Sequence, residues 1–558
     1  MKRLLFILWI FLLSVSFGLT KMKADVRMPL IFGDHMVLQQ DTKIAIFGWA
    51  DAGETVEVVF AGQKVKTTAD TDGTWRVNLK PIKTKKEGQT LTIAGKNKLV
   101  YSDVLVGDVW VASGQSNMEW GIKVRKEYAD DISASEDPLL RLFFVPKNTS
   151  LEPLTDIEVP QGTSNPERAA RWVLCTPEML AKINGQGFSA TAYYFARDMR
   201  AANGRPLGVI QSAWGGTRAE AWTSLSGLKQ EPALAHYVAA YEKNVKDNPE
   251  ILATYPQKQK EFDEAVREWD KTVGKEWNQA QKEWAIAVQA AQAAGKPAPP
   301  KPQPSVPRPP NPRKPNGGNN GPSNLFNAMI SPLIPLSIKG VIWYQGESNV
   351  GRHETYAERL ADMVQLWRKE WGLGELPFYF AEIAPYAYGG TQQEKAAYLR
   401  EAQFRAQSLI PNSAMISTND LVEPYEIYNI HPRNKTKVGQ RLSYLALNLT
   451  YGLKQIHCFG PQYKSWTAKG SEAWVSFDHL EMGICRNYDL RGFEVAGEDR
   501  VFHPADKVWL HWQTNEVVIS SEKVSRPVAV RYCFRDFQVG TMIGGNELPT
   551  IPFRTDNW

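Results

Sequence analysis

Four short segments hold residues that could do chemistry together. Gly114-Gln115-Ser116-Asn117-Met118 follows an apolar run from Val104 to Ala112. A serine hydroxyl is a weak nucleophile until a base removes its proton. A sharp turn after a strand can expose that hydroxyl and aim the adjacent N–H at an oxyanion. Trp214-Gly215-Gly216-Thr217 follows a second run, Leu207 to Ser212, and its glycines offer unobstructed N–H donors. Trp343-Tyr344-Gln345-Gly346-Glu347-Ser348-Asn349 ends a third run beginning at Ile338, and the Gln345 carboxamide is a further possible donor. Asn429-Ile430-His431-Pro432, with Asn434, Lys435 and Gly439 behind it, puts a histidine in a polar loop. Histidine has the pKa for general-base work near neutral pH. Each segment alone also reads as an ordinary turn, strand end or surface histidine. Of the eight histidines, His35 and His353 also fall in loops, but outside this ordered set.

The elements that must position these segments alternate in type. Beyond the strand runs already named, the spacing predicts helices near Ala190 to Arg200, Tyr356 to Trp371 and Lys395 to Gln407. It predicts further strands at Phe378 to Ile383 and Ala414 to Thr418. Strands alternating with helices imply an α/β unit with a mostly parallel sheet covered on both faces. In such sheets the site lies beyond the carboxyl ends of the strands, where the four segments fall.

The flanks differ. From Arg27 to Leu99 apolar residues alternate with polar ones, as at Trp75, Val77 and Leu79, with a turn at Asp72-Gly73. Beyond Gln455 the chain returns to short strands and turns. Inside the α/β unit, Phe262, Val266, Trp269, Val273, Trp277, Ala280, Trp284 and Val288 mark an amphipathic helix packed on its host. The Pro- and Lys-rich stretch from Lys296 to Pro315 should be extended or disordered. The expected division is an export signal over 1–24, an N-terminal β-sandwich-like domain over 25–100, a catalytic domain over 101–454 interrupted by a 233–322 insertion, and a C-terminal β-rich domain over 455–558.

The order serine, glycine, carboxamide, late histidine resembles that of the SGNH hydrolases. Gln115-Ser116-Asn117, Gly215-Gly216-Thr217, Gln345-Gly346-Glu347-Ser348 and Ile430-His431-Pro432 resemble the blocks of its sialate O-acetylesterase branch. The stretch Gly33-Asp34 to Gln39-Gln40 and the C-terminal segments Gly460-Pro461, Gly492 to Asp499 and Pro552 to Asp556 extend the resemblance. It implies an α/β SGNH three-layer sandwich flanked by β-rich domains, and a hydrolase removing O-acetyl groups from sialic acids or related glycans, with no metal and no cofactor. Ser116 would be the nucleophile and His431 the base. The N–H groups of Ser116 and of Gly216 or Gly215, with the Gln345 side chain, would hold the oxyanion of an acetyl-transfer step.

Many SGNH enzymes carry an aspartate three residues before the histidine; here that residue is Tyr428. Asp420, Glu423 or Glu426 could supply the carboxylate, or a backbone carbonyl could hold His431 and leave a Ser–His dyad. Arg218, Trp222, Glu347, Asn349 and Arg352 are the candidate substrate contacts, an arginine being suited to a sialic acid carboxylate. An acetylesterase acting on xylan or pectin, and a glycan-binding protein without catalysis, are the alternative readings.

Bulk composition narrows the class. A net charge of +5 over 558 residues gives no reason to invoke nucleic acid. Lys2 and Arg3, the apolar stretch Leu4 to Leu13 and small residues after it read as an export signal, so a periplasmic or extracellular protein with no membrane span in its mature form is expected. Cys175, Cys458, Cys485 and Cys533 show no zinc spacing, and their pairing, like the oligomeric state, is open.

Overall fold

The computed structural model describes residues 25–230, 232–390, 392–486 and 489–558; the expected export signal lies outside the described residues. The chain opens with β1 (Val37–Gln39), β2 (Ile44–Trp49), β3 (Thr55–Phe60), β4 (Gln63–Thr68), β5 (Thr74–Leu79), β6 (Lys85–Ala94) and β7 (Lys98–Gly114). The period-two pattern becomes a burial pattern: in β5, Trp75, Val77 and Leu79 are buried while Thr74, Arg76 and Asn78 are exposed. Before it, the Asp72 carboxylate accepts hydrogen bonds from the Thr74 N–H at 2.9 Å and the Thr74 hydroxyl at 2.8 Å.

Strand β7 joins the two parts of the sheet. Its first half pairs antiparallel with β6 and parallel with β1. Its second half enters a sheet completed by β8 (Asp137–Phe144), β9 (Trp172–Cys175), β10 (Leu207–Ala213), β11 (Gly340–Tyr344), β12 (Phe378–Ala381) and β13 (Ser413–Ile416). The spatial order is β13-β12-β11-β7-β10-β8-β9, parallel throughout except for the antiparallel edge strand β9. Hydrogen bonding is therefore continuous across residue 100, where the sequence pattern changes. The chain builds outward from β7 first toward β8 and β10, then reverses toward β11, β12 and β13. That reversal opens a crevice at the carboxyl ends of β7, β10 and β11.

Successive residues of β7 feed opposite cores. Val109 and Val111 join the apolar cluster containing Leu360, Val364 and Trp367 of the helix Tyr356–Trp371 and Leu399 of the helix Lys395–Leu409. Trp110 and Ala112 join the cluster of Tyr194, Phe195 and Met199 from the helix Ala190–Asn203 and Val438 and Leu442 from the helix Lys435–Leu445. A strand buried on both faces reads as a continuous apolar run, which is the pattern of Val104 to Ala112.

The insertion differs from one uninterrupted helix. It forms Ala235–Lys271 and Val273–Ala293, broken at Thr272, whose φ of −101° and ψ of −93° are not helical. The Pro-rich segment, without regular secondary structure, lies back along the tryptophans: Trp269 Nε1 donates to Val306 O and Trp284 Nε1 to Pro299 O, both at 2.8 Å. The apolar stripe is thus covered largely by its own chain. Residues 462–554 build two four-stranded antiparallel sheets around Val475, Val495, Val517, Ile519 and Val530. Ion pairs of Arg535 with Glu394 and Arg554 with Glu401 lock this unit to the α/β part. All four cysteines are free thiols. Among the described residues no helix is long and apolar enough to cross a membrane.

Candidate active site

The first three segments meet because β7 lies between β10 and β11. Gly114 ends β7 with φ +134°, and a side chain there would strike the Tyr344 carbonyl, so only glycine lets the turn pass beside β11. Gln115 N–H donates to Tyr344 O at 2.9 Å, while Gln115 Oε1 accepts from the N–H groups of Gly346 (3.2 Å) and Ser348 (3.3 Å). The chain then enters the short helix Ser116–Glu119. As its first residue, Ser116 has no intrahelical partner for its N–H.

Gly215 lies against the serine: a Cβ on it would sit 3.1 Å from Ser116 Cβ and 3.1 Å from Glu119 Oε2. The Gly215 N–H already donates to Glu119 Oε2 at 2.5 Å. Gly216, exposed and at φ +73°, has no hydrogen bond on its N–H among the described residues, while its carbonyl accepts from Asn320 Nδ2 at 2.9 Å. Of the two glycines expected to serve an oxyanion, Gly216 has a donor to give.

Gln345 differs from its expected role. It is wholly buried, and its Nε2 donates to Thr217 O at 3.1 Å and Asn349 Oδ1 at 2.7 Å, while Oε1 accepts from the Tyr356 hydroxyl at 2.9 Å. Both amide hydrogens are committed, so the side chain braces the Gly216-Thr217 loop instead of facing a substrate. Gln345→Ala should therefore lower thermal stability by about 1–3 kcal/mol, because it strands the buried Thr217 carbonyl and takes one hydrogen bond each from Asn349 and Tyr356. A melting curve checks this; an unchanged Tm would contradict the bracing role.

His431 reaches the same place from the far end of the chain. Asn117 Nδ2 donates to Ile430 O at 3.1 Å, and the Trp120 ring stacks on the imidazole with centroids 5.4 Å apart and planes 27° apart. Behind it, Asn434 caps the helix Lys435–Leu445 by accepting from Lys437 N–H at 3.1 Å. Gly439 lets that helix press onto Ala190–Asn203, since a Cβ there would lie 2.6 Å from both Thr191 O and Tyr194 Cβ. Burial, followed by the charges of Lys435 and Arg125, pushes the His431 pKa down to about 4. The imidazole is consequently a free base at neutral pH.

No carboxylate among the described residues hydrogen-bonds the His431 ring. Asp420 spends both oxygens on Arg441, at 2.7 and 2.6 Å, and is not brought to the histidine. Glu426 is buried and accepts from Glu423 N–H, Arg433 N–H and the Asn429 amide. Glu423 belongs to the same capping turn.

The expected sugar contacts divide similarly. Trp222 is wholly buried, its Nε1 donating to Thr217 Oγ1 at 3.0 Å and its ring set edge-on to Trp343, so it is core. Asn349 is framework, bonded to Gln345, Ala219 N–H and Glu220. Glu347 is buried and bonded to Asn117. Arg218 and Arg352 do line a cavity of about 450 Å³, beside Asn320, Tyr237 and His236. Arg352 pairs with Glu220 at 3.0 Å, whereas the Arg218 guanidinium has no acidic partner among the described residues. Sequence reasoning missed Glu119, which holds Gly215 N–H, and gave no role to Asn117 or Lys435. Glu119 stands three residues after Ser116 on the same helix, a spacing that could have flagged it.

Comparison with known proteins gives this site its class. A family model described as "Carbohydrate esterase, sialic acid-specific acetylesterase" matches residues 319–448, which include Gln345 and His431. The sialate O-acetylesterase of Rattus norvegicus is 28% identical over 504 residues, covering 84% of this chain and 82% of the relative. That of Mus musculus is 26% identical over 503 residues, with the same coverage. A crystal structure of a carbohydrate acetylesterase from Xanthomonas citri superimposes with a TM-score of 0.72 at 29% identity, covering 96% of this chain and 100% of that one. These likenesses indicate a carboxylic-ester hydrolase. Over 84% of its length the chain is similar to the sialate O-acetylesterases.

Proposed function

We propose that the protein is an exported sialate O-acetylesterase working through Ser116 and His431. The observation that carries the reading is the Asn117–Ile430 hydrogen bond, which links the Ser116 helix to the histidine loop across 313 residues. In this reading Ser116 Oγ attacks the acetyl carbonyl as His431 takes its proton. The N–H groups of Ser116 and Gly216 receive the oxyanion, and the His431 imidazolium then protonates the departing sugar oxygen. Water activated by the same imidazole attacks the acetyl-enzyme and releases acetate. No carboxylate is needed to orient the ring, because the Trp120 stack and the Asn429 Oδ1 bond to His431 N–H (3.2 Å) already hold it and its backbone.

The two cores on either side of the parallel sheet support reading the α/β part as an SGNH three-layer sandwich. We assign residues 101–454 to the catalytic unit, 233–322 to its insertion, and 25–100 and 455–558 to flanking β-rich domains. The basic, apolar and small-residue succession of the first 24 residues supports a periplasmic or extracellular location.

Sialic acid carries a carboxylate, and an arginine beside the oxyanion loop with no acidic partner among the described residues suits it. Arg218 fits: its own N–H donates to Asn320 Oδ1 at 3.0 Å, and Asn320 in turn holds Gly216. Arg218→Gln should raise KM for an O-acetylated sialic acid about ten- to hundredfold, the scale of one hydrogen bond to a charged group, with kcat little changed. Acetate release from acetylated xylan should not respond. The second reading, an acetylesterase on neutral polysaccharide, draws on the likeness to the Xanthomonas citri carbohydrate acetylesterase. Release from xylan and none from sialic acid would decide for it.

A further inference from the structure

The geometry points to Lys435 as a positioning residue for this site: its buried ammonium, joined through Asn117 to both the Ser116 helix and the His431 loop, holds the two together. The inference rests on the Ser116–His431 reading and deepens it.

Lys435 is wholly buried, and its Nζ donates to Asn117 Oδ1 at 2.5 Å. That bond fixes which way the Asn117 amide faces. Its Nδ2 is left to donate to Glu347 Oε1 and to Ile430 O. One carboxamide thus connects a cation, a carboxylate and the peptide preceding His431. Removing the lysine would free the Asn117 amide to turn and release the loop.

The surroundings make an accidental lysine implausible. It is the first residue of the helix Lys435–Leu445, where the positive end of the helix dipole disfavours a cation. Among the described residues no carboxylate forms an ion pair with it; Glu347 and Glu426 act on it only at longer range. Burial is the largest influence on its pKa, which falls to about 7. Burying a charge on these terms costs stability.

The charge is aimed at the imidazole through a shared ring. Lys435 Nζ lies 5.5 Å from the centre of the Trp120 ring, the ring stacked on His431. Tyr344 offers a second face at 5.6 Å. Arg125, from the loop after Ile122–Val124, is the other cation facing His431, with its guanidinium 4.8 Å from the same Trp120 ring. Two cations and, among the described residues, no bonded carboxylate around a half-buried imidazole favour its neutral form. The same charges strengthen the imidazolium as an acid toward the departing sugar oxygen and weaken the imidazole as a base toward the Ser116 proton.

The test compares wild type with Lys435→Met in two measurements: the pH titration of the His431 ring by NMR, and the acid limb of kcat/KM. Both midpoints should rise by about one pH unit from near 4 toward the ordinary histidine value of 6.5, while kcat falls. A folded Lys435→Met protein with an unmoved midpoint overturns the proposal, because a merely structural role lowers activity without moving it. Should that variant not fold, the wild-type ring answers: Lys435 loses its proton near pH 7, so the His431 signal should show a second, small inflection there. A single inflection near 4 overturns the proposal. The ring titration is independent of turnover. Full activity in Ser116→Ala would sink the catalytic reading, whereas an unmoved ring titration would sink only the role of Lys435.

Discussion

Ser116→Ala should reduce acetate release by about 10⁴-fold or more while leaving the fold intact. The hydroxyl is the group that would form the acetyl-enzyme, and removing it leaves only the oxyanion donors and substrate binding to act. The substitution is otherwise mild: Ser116 Oγ takes part in no hydrogen bond among the described residues, and alanine is well suited to a helix. Thermal melting should therefore be nearly unchanged, which separates lost chemistry from lost structure. An activated acetyl ester, an O-acetylated sialic acid and acetylated xylan are the substrates to compare. Cleavage of any of them at the wild-type rate by the variant would remove Ser116 from the mechanism. No cleavage of any by the wild type would favour a glycan-binding protein.

Loss of the base should be comparably severe, with His431→Gln costing on the order of 10⁴ in kcat/KM. The more revealing measurement is the pH profile of the wild type. The folded pKa of about 4 lies below the ordinary value of 6.5, so the ring remains unprotonated well into acid. Activity should hold from neutral pH to about 5 and fall as pH drops through 4. An acid limb centred between 6 and 7 would contradict this environment for His431. Folding should respond with the same sign. Between pH 6.5 and 4 the unfolded chain takes up the proton first, so stability conferred by the neutral ring is present above 6.5 and lost as pH falls toward 4.

Much of the architecture was legible because it is written in local periodicity. Val104 to Ala112 reads as a doubly buried strand since both faces of a parallel strand are covered, and Trp75, Val77 and Leu79 alternate since one face of theirs is not. The helices Tyr356–Trp371 and Lys395–Leu409 carry apolar stripes of the length a core-facing helix needs. The insertion was half legible: its tryptophans have helical spacing, but the break at Thr272 and the Pro-rich cover depend on which surfaces were free to pack.

At the site, the residue types and their order along the chain were sufficient to nominate Ser116, Gly216 and His431, because a turn after a strand puts its residues at the sheet edge wherever the strand lies. Sequence could not say which polar groups were still free once the chain had closed. Gln345 and Gly215 looked like oxyanion donors, yet Thr217, Asn349 and Glu119 use their hydrogens. Asp420 looked like a triad carboxylate, yet Arg441, 21 residues later, claims it. Trp222 looked like a substrate contact and became core. A side chain's type sets which bonds it can make. Which of them it does make is a competition among neighbours that share no proximity in sequence, and only the tertiary structure decides it. The bridge from Lys435 through Asn117 to Glu347 spans 318 and 230 positions, so no local pattern could have signalled it.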